Sequence, residues 1–150
     1  MKLAAAALSL SLTLTLALSA REGDAAEAPA PPFKGTDYSG VYDCQGLDHL
    51  EGPYTATVTL TLVPAQSTGR HGAYAFKMDV PGYGTYRGQA AADGPDMAIH
   101  FALTDPSTKD YGTGLARFTN NKAGKPGFSK FYYEPEFKGG NFGTETCTRR

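Results

Sequence analysis

The chain reads as all-β: a single antiparallel up-and-down barrel of about eight strands closed by one disulfide, with a β-sandwich as the alternative. Three observations carry that reading. Apolar and polar residues alternate through several long segments, turn-forming residues recur between those segments, and the only two cysteines fall in the first and last of them.

The alternation is strictest from Tyr54 to Leu62. Tyr54, Ala56, Val58, Leu60 and Leu62 share one face, and Thr55, Thr57, Thr59 and Thr61 share the other. A period of two with β-branched residues predicts a half-buried strand rather than a helix. Tyr74, Phe76, Met78 and Val80 repeat the pattern, as do Met97, Ile99, Phe101 and Leu103. Less regular strands are predicted at 40–45, 84–90, 112–119, 128–134 and 142–148.

Turn chemistry separates them: Gln66 to Gly72, Pro81-Gly82, Asp93-Gly94-Pro95-Asp96, Asp105-Pro106-Ser107 and Asn120 to Gly124. Gly and Asn tolerate positive φ, while Pro and Asp start turns. Short strands joined by short turns, with no helical stretch between them, predict sequential hairpins.

The N-terminus predicts export. Lys2 precedes an apolar stretch from Leu3 to Leu18, and the small residues Ser19 and Ala20 are followed at once by Arg21. The stretch is shorter than the roughly 20 residues that span a bilayer, so residues 1–20 are read as a cleaved signal peptide. Residues 21–37, rich in Ala and Pro, are read as a flexible leader, and 38–150 as the barrel domain. No later segment is apolar enough to span a membrane. The expected location is the periplasm or outside the cell. There, Cys44 and Cys147 are predicted to join, tying the last strand to the first and favouring the barrel.

Composition limits the function. The formal net charge is −1, which argues against nucleic acid or an anionic membrane as partner. His49, His71 and His100 show no paired metal spacing, and no nucleophile elbow, P-loop or dinucleotide fingerprint occurs. No cofactor is expected, and a bonded cysteine pair leaves no thiol nucleophile. Glu134 and Glu136 flank Pro135 and are read as a solvated turn. Three aromatic-Gly-Thr triplets, beginning at Tyr83, Tyr111 and Phe142, are read as glycines covered by neighbouring rings.

The candidate binding residues come from loops and aromatics. Ser67, Arg70 and His71 lie in a polar, Gly-flanked loop leading to Tyr74. His100 sits opposite an apolar strand face, pointing to solvent or, in a barrel of opposite polarity, to the interior. Tyr132 and Tyr133 put rings on both sides of one strand, so one side is core and the other leaves an aromatic surface.

Val41-Tyr42-Asp43-Cys44-Gln45-Gly46, with a lone late cysteine, resembles the pattern of periplasmic inhibitors of c-type lysozyme. Those are small β-barrels with an early Tyr-x-Cys-x-Gly strand. Their inhibitory Ser-Gly-x-x-Tyr motif has its nearest counterpart at Ser67 to Tyr74, with different spacing. Gly40-Val41-Tyr42 is similar to the opening strand of lipocalin-like and avidin-like barrels, with Tyr in place of Trp. The resemblance implies an exported, non-enzymatic binding protein acting on another exported protein, such as a wall-degrading hydrolase. The alternatives are a carrier of a small apolar ligand and a hydrolase without a recognisable motif.

Overall fold

The computed structural model describes residues 30–120 and 124–150. The signal-peptide expectation for residues 1–20, and most of the leader, lie outside the described residues.

Eight antiparallel strands form a closed barrel in sequence order. They are β1 (Gly40–Asp48), β2 (Gly52–Leu62), β3 (His71–Val80), β4 (Gly84–Asp93), β5 (Asp96–Leu103), β6 (Tyr111–Asn120), β7 (Pro126–Glu134) and β8 (Asn141–Arg149). All eight predicted strands are present. The largest differences are at strand ends: β1 runs three residues past its predicted end, to Asp48.

The seam is a continuous β1–β8 ladder from Tyr42 opposite Arg149 to Asp48 opposite Gly143. Within it Cys44 lies directly opposite Cys147, and the two are bonded, with Cα atoms 4.1 Å apart. The unbroken ladder through all eight strands, closed by β1 against β8, excludes the sandwich.

Register sets the shape. The inward-facing circuit that leaves β2 at Leu62 passes Tyr74, Ala90, Ile99, Gly114, Tyr132, Gly143 and Asp48, and returns to β2 at Gly52. The stagger is ten residues over eight strands. A stagger of this size tilts strands by roughly 40° and leaves an interior just wide enough for side chains.

The two ends differ. At the closed end, where β1 begins and β8 ends, the interior is packed with Tyr42, Leu60, Tyr74, Phe118 and Phe128. Tyr42 and Phe128 meet edge to face with centroids 5.2 Å apart. Tyr38 caps this end by stacking on Phe118 at 3.9 Å and donating through its hydroxyl to Gly94 O. Gly94 can take that place because the β4–β5 turn needs its φ of +60°. Residues ahead of Tyr38 also contribute: Lys34 N–H donates to Gly69 O, and the Tyr74 hydroxyl donates to Thr36 O. Residues 31–37 of the predicted leader thus lie against the barrel.

The opposite, open end carries the β1–β2, β3–β4, β5–β6 and β7–β8 connections. No described helix is long and apolar enough to cross a membrane.

Candidate functional site

Strand parity delivers charge to the interior. Because Cys147 points inward, so do Glu145, Gly143 and Asn141 two, four and six residues before it. Because Cys44 points inward, so does Asp48. On β7, Phe128, Lys130, Tyr132 and Glu134 share the inward face. The buried polar set Asp48, Asp110, Lys130, Glu134, Asn141 and Glu145 follows from this alternation, with Asp110 added from the loop before β6.

Two glycines make room. A Cβ at Gly46 would overlap the Tyr54 ring, and one at Gly143 would overlap the Tyr132 hydroxyl. The glycine of one aromatic-Gly-Thr triplet is therefore filled by the protein's own aromatic. It does not thin the wall for an outside molecule.

These groups form two layers below the open end. In the lower layer Lys130 Nζ lies 2.9 Å from Glu145 Oε2, close enough for an ion pair but not aligned as a hydrogen bond. The ammonium is surrounded by the rings of Phe76, Phe101 and Tyr132, each within 5.5 Å. The Tyr54 hydroxyl donates to Glu145 Oε1 at 2.5 Å. Lys130 and Glu145 thus compensate each other's charge at the floor of the open end.

In the upper layer Asp48 is saturated. Its Oδ1 accepts the Leu50 and Glu51 N–H groups, and its Oδ2 accepts the Tyr132 hydroxyl and Asn141 Nδ2. Burial raises the Asp48 pKa, but these four bonds outweigh burial and hold it below the ordinary value. Asn141 Nδ2 also donates to Glu134 Oε2 at 2.7 Å.

Asp110 is half satisfied. Its Oδ2 accepts from the Tyr83 and Tyr86 hydroxyls at 2.9 and 2.8 Å. Its Oδ1, although Asp110 is only 3 % exposed, has no donor. Glu134 responds to this charge: its pKa is pushed up to about 7, first by burial and next by the Asp110 carboxylate. Glu134 thus holds its proton more readily than a free carboxyl does, beside an Asp110 Oδ1 that has no donor.

Above these groups is a cavity of about 80 Å³, lined among others by Tyr83, Tyr86, Asp110, Glu134 and Phe137. On this measure one water needs roughly 10–15 Å³, so the space holds a few waters or the head of a small molecule.

The sequence-predicted residues do not converge. Ser67 is structural: its Oγ donates to Val63 O and accepts from Ala73 N–H. Arg70 pairs with Asp93, and His71 approaches the same carboxylate on the outside of the closed end. Tyr74 is a buried core ring at that end. His100 is exposed on the outer wall, between Gln89 and Thr113. Tyr133 is on the outer face and 48 % exposed. Only Tyr132 reaches the cavity.

Glu134 is not in a solvated turn with Glu136: β7 extends through Glu134 and parity buries it, while Glu136 is exposed and paired with Lys109.

The chain matches no protein-family model, no curated protein and no solved structure.

Proposed function

We propose that this protein is an exported, non-enzymatic binding barrel that takes a small polar ligand into its open end. One observation carries the reading: a buried carboxylate oxygen, Asp110 Oδ1, has no partner and borders a cavity open to solvent. A carboxylate oxygen this buried favours a ligand that brings a donor to it, and a charged donor more than the water it displaces. Fixed strands on every side and a capped far end leave the site preorganised.

The geometry disfavours an apolar cargo. Large side chains fill the closed half of the barrel, and the remaining cavity is bordered by carboxylates that an apolar ligand would desolvate without pairing.

Native mass spectrometry of the purified domain, with amide-proton NMR to locate the site, tests the reading. The expected result is a retained small molecule, or one recovered from extracts of the exporting cell, whose shifts map to Asp110, Glu134 and Tyr83. Ligand shifts confined to the outer wall would overturn it.

A second reading, docking to another exported protein, rests on the outer wall. Ala73, Ala91, Ala98, Leu115 and Phe131 form one cross-strand row, with Leu115 66 % and Phe131 48 % exposed. Tyr133 and Phe142 pair beside it on β7 and β8. This wall, rather than the Ser67–Tyr74 loop, is where an inhibitor of the kind the sequence resembles would find apolar contact. Cross-linking at Phe131 in the exported protein mixture tests it.

A further inference from the structure

Charge and shape together specify the ligand more narrowly. Five carboxylates border the cavity: Asp48, Glu51, Asp110, Glu134 and Glu145. Lys130 answers Glu145, and Lys138 answers Glu51 at the rim. The ion pairs of the described residues leave Asp48, Asp110 and Glu134 without a lysine or arginine. Met78, Val80 and six aromatic side chains complete the lining, and the rings of Tyr83 and Tyr86 lie parallel, 6.3 Å apart, beside Asp110. Excess negative charge walled by π faces is the environment that attracts a cation carrying carbon.

We infer that the open end binds an organic cation, a protonated amine whose ammonium donates to Asp110 Oδ1 and Glu134 and whose carbon chain leaves past Tyr83. This rests on the reading of the open end as the ligand site.

Three features favour an ammonium over the other occupants. An anion would meet uncompensated carboxylates, and a neutral alcohol offers a single donor. A bare metal ion needs convergent oxygens; among the described residues, Asp48, Asp110 and Glu134 do not bring one oxygen each within 4.8 Å of one another. An ammonium has three donors on one centre and can serve two separated carboxylates at once. In doing so it supplies a positive charge that favours the ionised form of Glu134.

That preference predicts proton linkage. The charged and titratable groups facing Glu134 are Asp110 from the β5–β6 loop, Asp48 from β1, Tyr86 from β4, and Lys130 and Tyr132 from its own strand; Glu145 lies below on β8. Glu134 is raised into the neutral range, to about 7. A cation that needs ionised Glu134 should therefore bind about tenfold more weakly at pH 6 than at pH 8.

The experiment is an NMR titration of the full domain with n-butylammonium, n-butanol, n-butyrate and calcium in parallel. Butylammonium is expected to shift the amides around Asp110, Glu134 and Tyr83, with the other three at least tenfold weaker. Asp110→Asn should lower butylammonium affinity at least tenfold, whereas Asp43→Asn, the same charge change on the outer wall, should not. Glu134→Gln should abolish the pH dependence, and the melting temperature of each variant shows that it has folded. Equal shifts from butanol or butyrate at these residues would overturn the cation assignment while leaving the open end as the ligand site. Calcium binding in place of butylammonium, or no shift from any probe, would also overturn it; the native-mass experiment above then judges the site separately.

Discussion

Lys130 and Glu145 face each other across β7 and β8 inside the barrel, with Nζ 2.9 Å from Oε2 and side chains at most 1 % exposed. Fully buried ion pairs gain little net stability, because desolving both charges costs nearly what their attraction returns. The pair's effect is positional. It seals the lower polar layer, so the aromatic core sits below it and the unpaired carboxylates sit above.

Breaking one partner should be costly. Lys130→Met leaves Glu145 buried without its counter-ion, and should destabilise the domain by about 3–5 kcal/mol. The double variant Lys130→Met/Glu145→Gln should recover most of the loss. Urea denaturation of the four proteins in the cycle checks this; equal stabilities for the single and double variants would contradict it.

The disulfide joins residues 103 positions apart, across the seam of the barrel. In the chain-entropy model a loop of that length is worth about 4–5 kcal/mol. Cys147→Ser should lower the melting temperature by on the order of 15 °C. Calorimetry of the parent, the reduced parent and the variant measures it, and an unchanged melting temperature would refute the clasp.

Glu134 ties stability to pH. The unfolded carboxyl titrates near 4.5 and the folded one near 7, so the folded state holds the proton through that window. The stability from protonated Glu134 is complete below pH 4.5 and is lost as pH rises to 7, on the order of 1–3 kcal/mol. Asp48 acts in the opposite sense: its pKa is lowered when folded, and its contribution is lost as pH falls below about 4. Glu134→Gln should therefore gain on the parent between pH 5 and pH 8 in chemical denaturation. A constant difference would remove Glu134 as the linked group.

Tyr38 closes the far end with one stacked ring and three hydroxyl-linked bonds: its hydroxyl donates to Gly94 O, its N–H donates to the Tyr74 hydroxyl, and its carbonyl accepts from the Tyr42 hydroxyl. Tyr38→Ala should cost about 2–4 kcal/mol. Because the cavity is at the other end, ligand shifts around Asp110 should stay unchanged. A loss of binding with intact folding would mean that the two ends communicate.

Much of the barrel was legible from local pattern. The Thr-rich face of β2 and the apolar face of β5 each declare a strand, and Asp93-Gly94-Pro95-Asp96 declares a turn. The cysteines implied the seam. The site was less legible, although a signal was present. Counting by twos back from Cys147 gives Glu145, Gly143 and Asn141; counting forward from Cys44 gives Gly46 and Asp48. Once the disulfide is placed inside, parity places these residues inside as well. Charged residues on a β-strand ordinarily mark the solvent face, so Lys130, Glu134 and Glu145 read locally as outside.

The sequence by itself determined the eight strands, their order and the joining of the ends, because alternation, turn chemistry and two cysteines are properties of neighbouring or paired residues. It could not determine the open end. Asp110 meets Glu134, Tyr83 and Tyr86 only because a ten-residue stagger carries β4, β6 and β7 to the same depth. The uneven pairing of charges there is a sum over all the strands. A carboxylate oxygen without a donor is a fact of tertiary structure: no segment contains it, and only closing the barrel creates it.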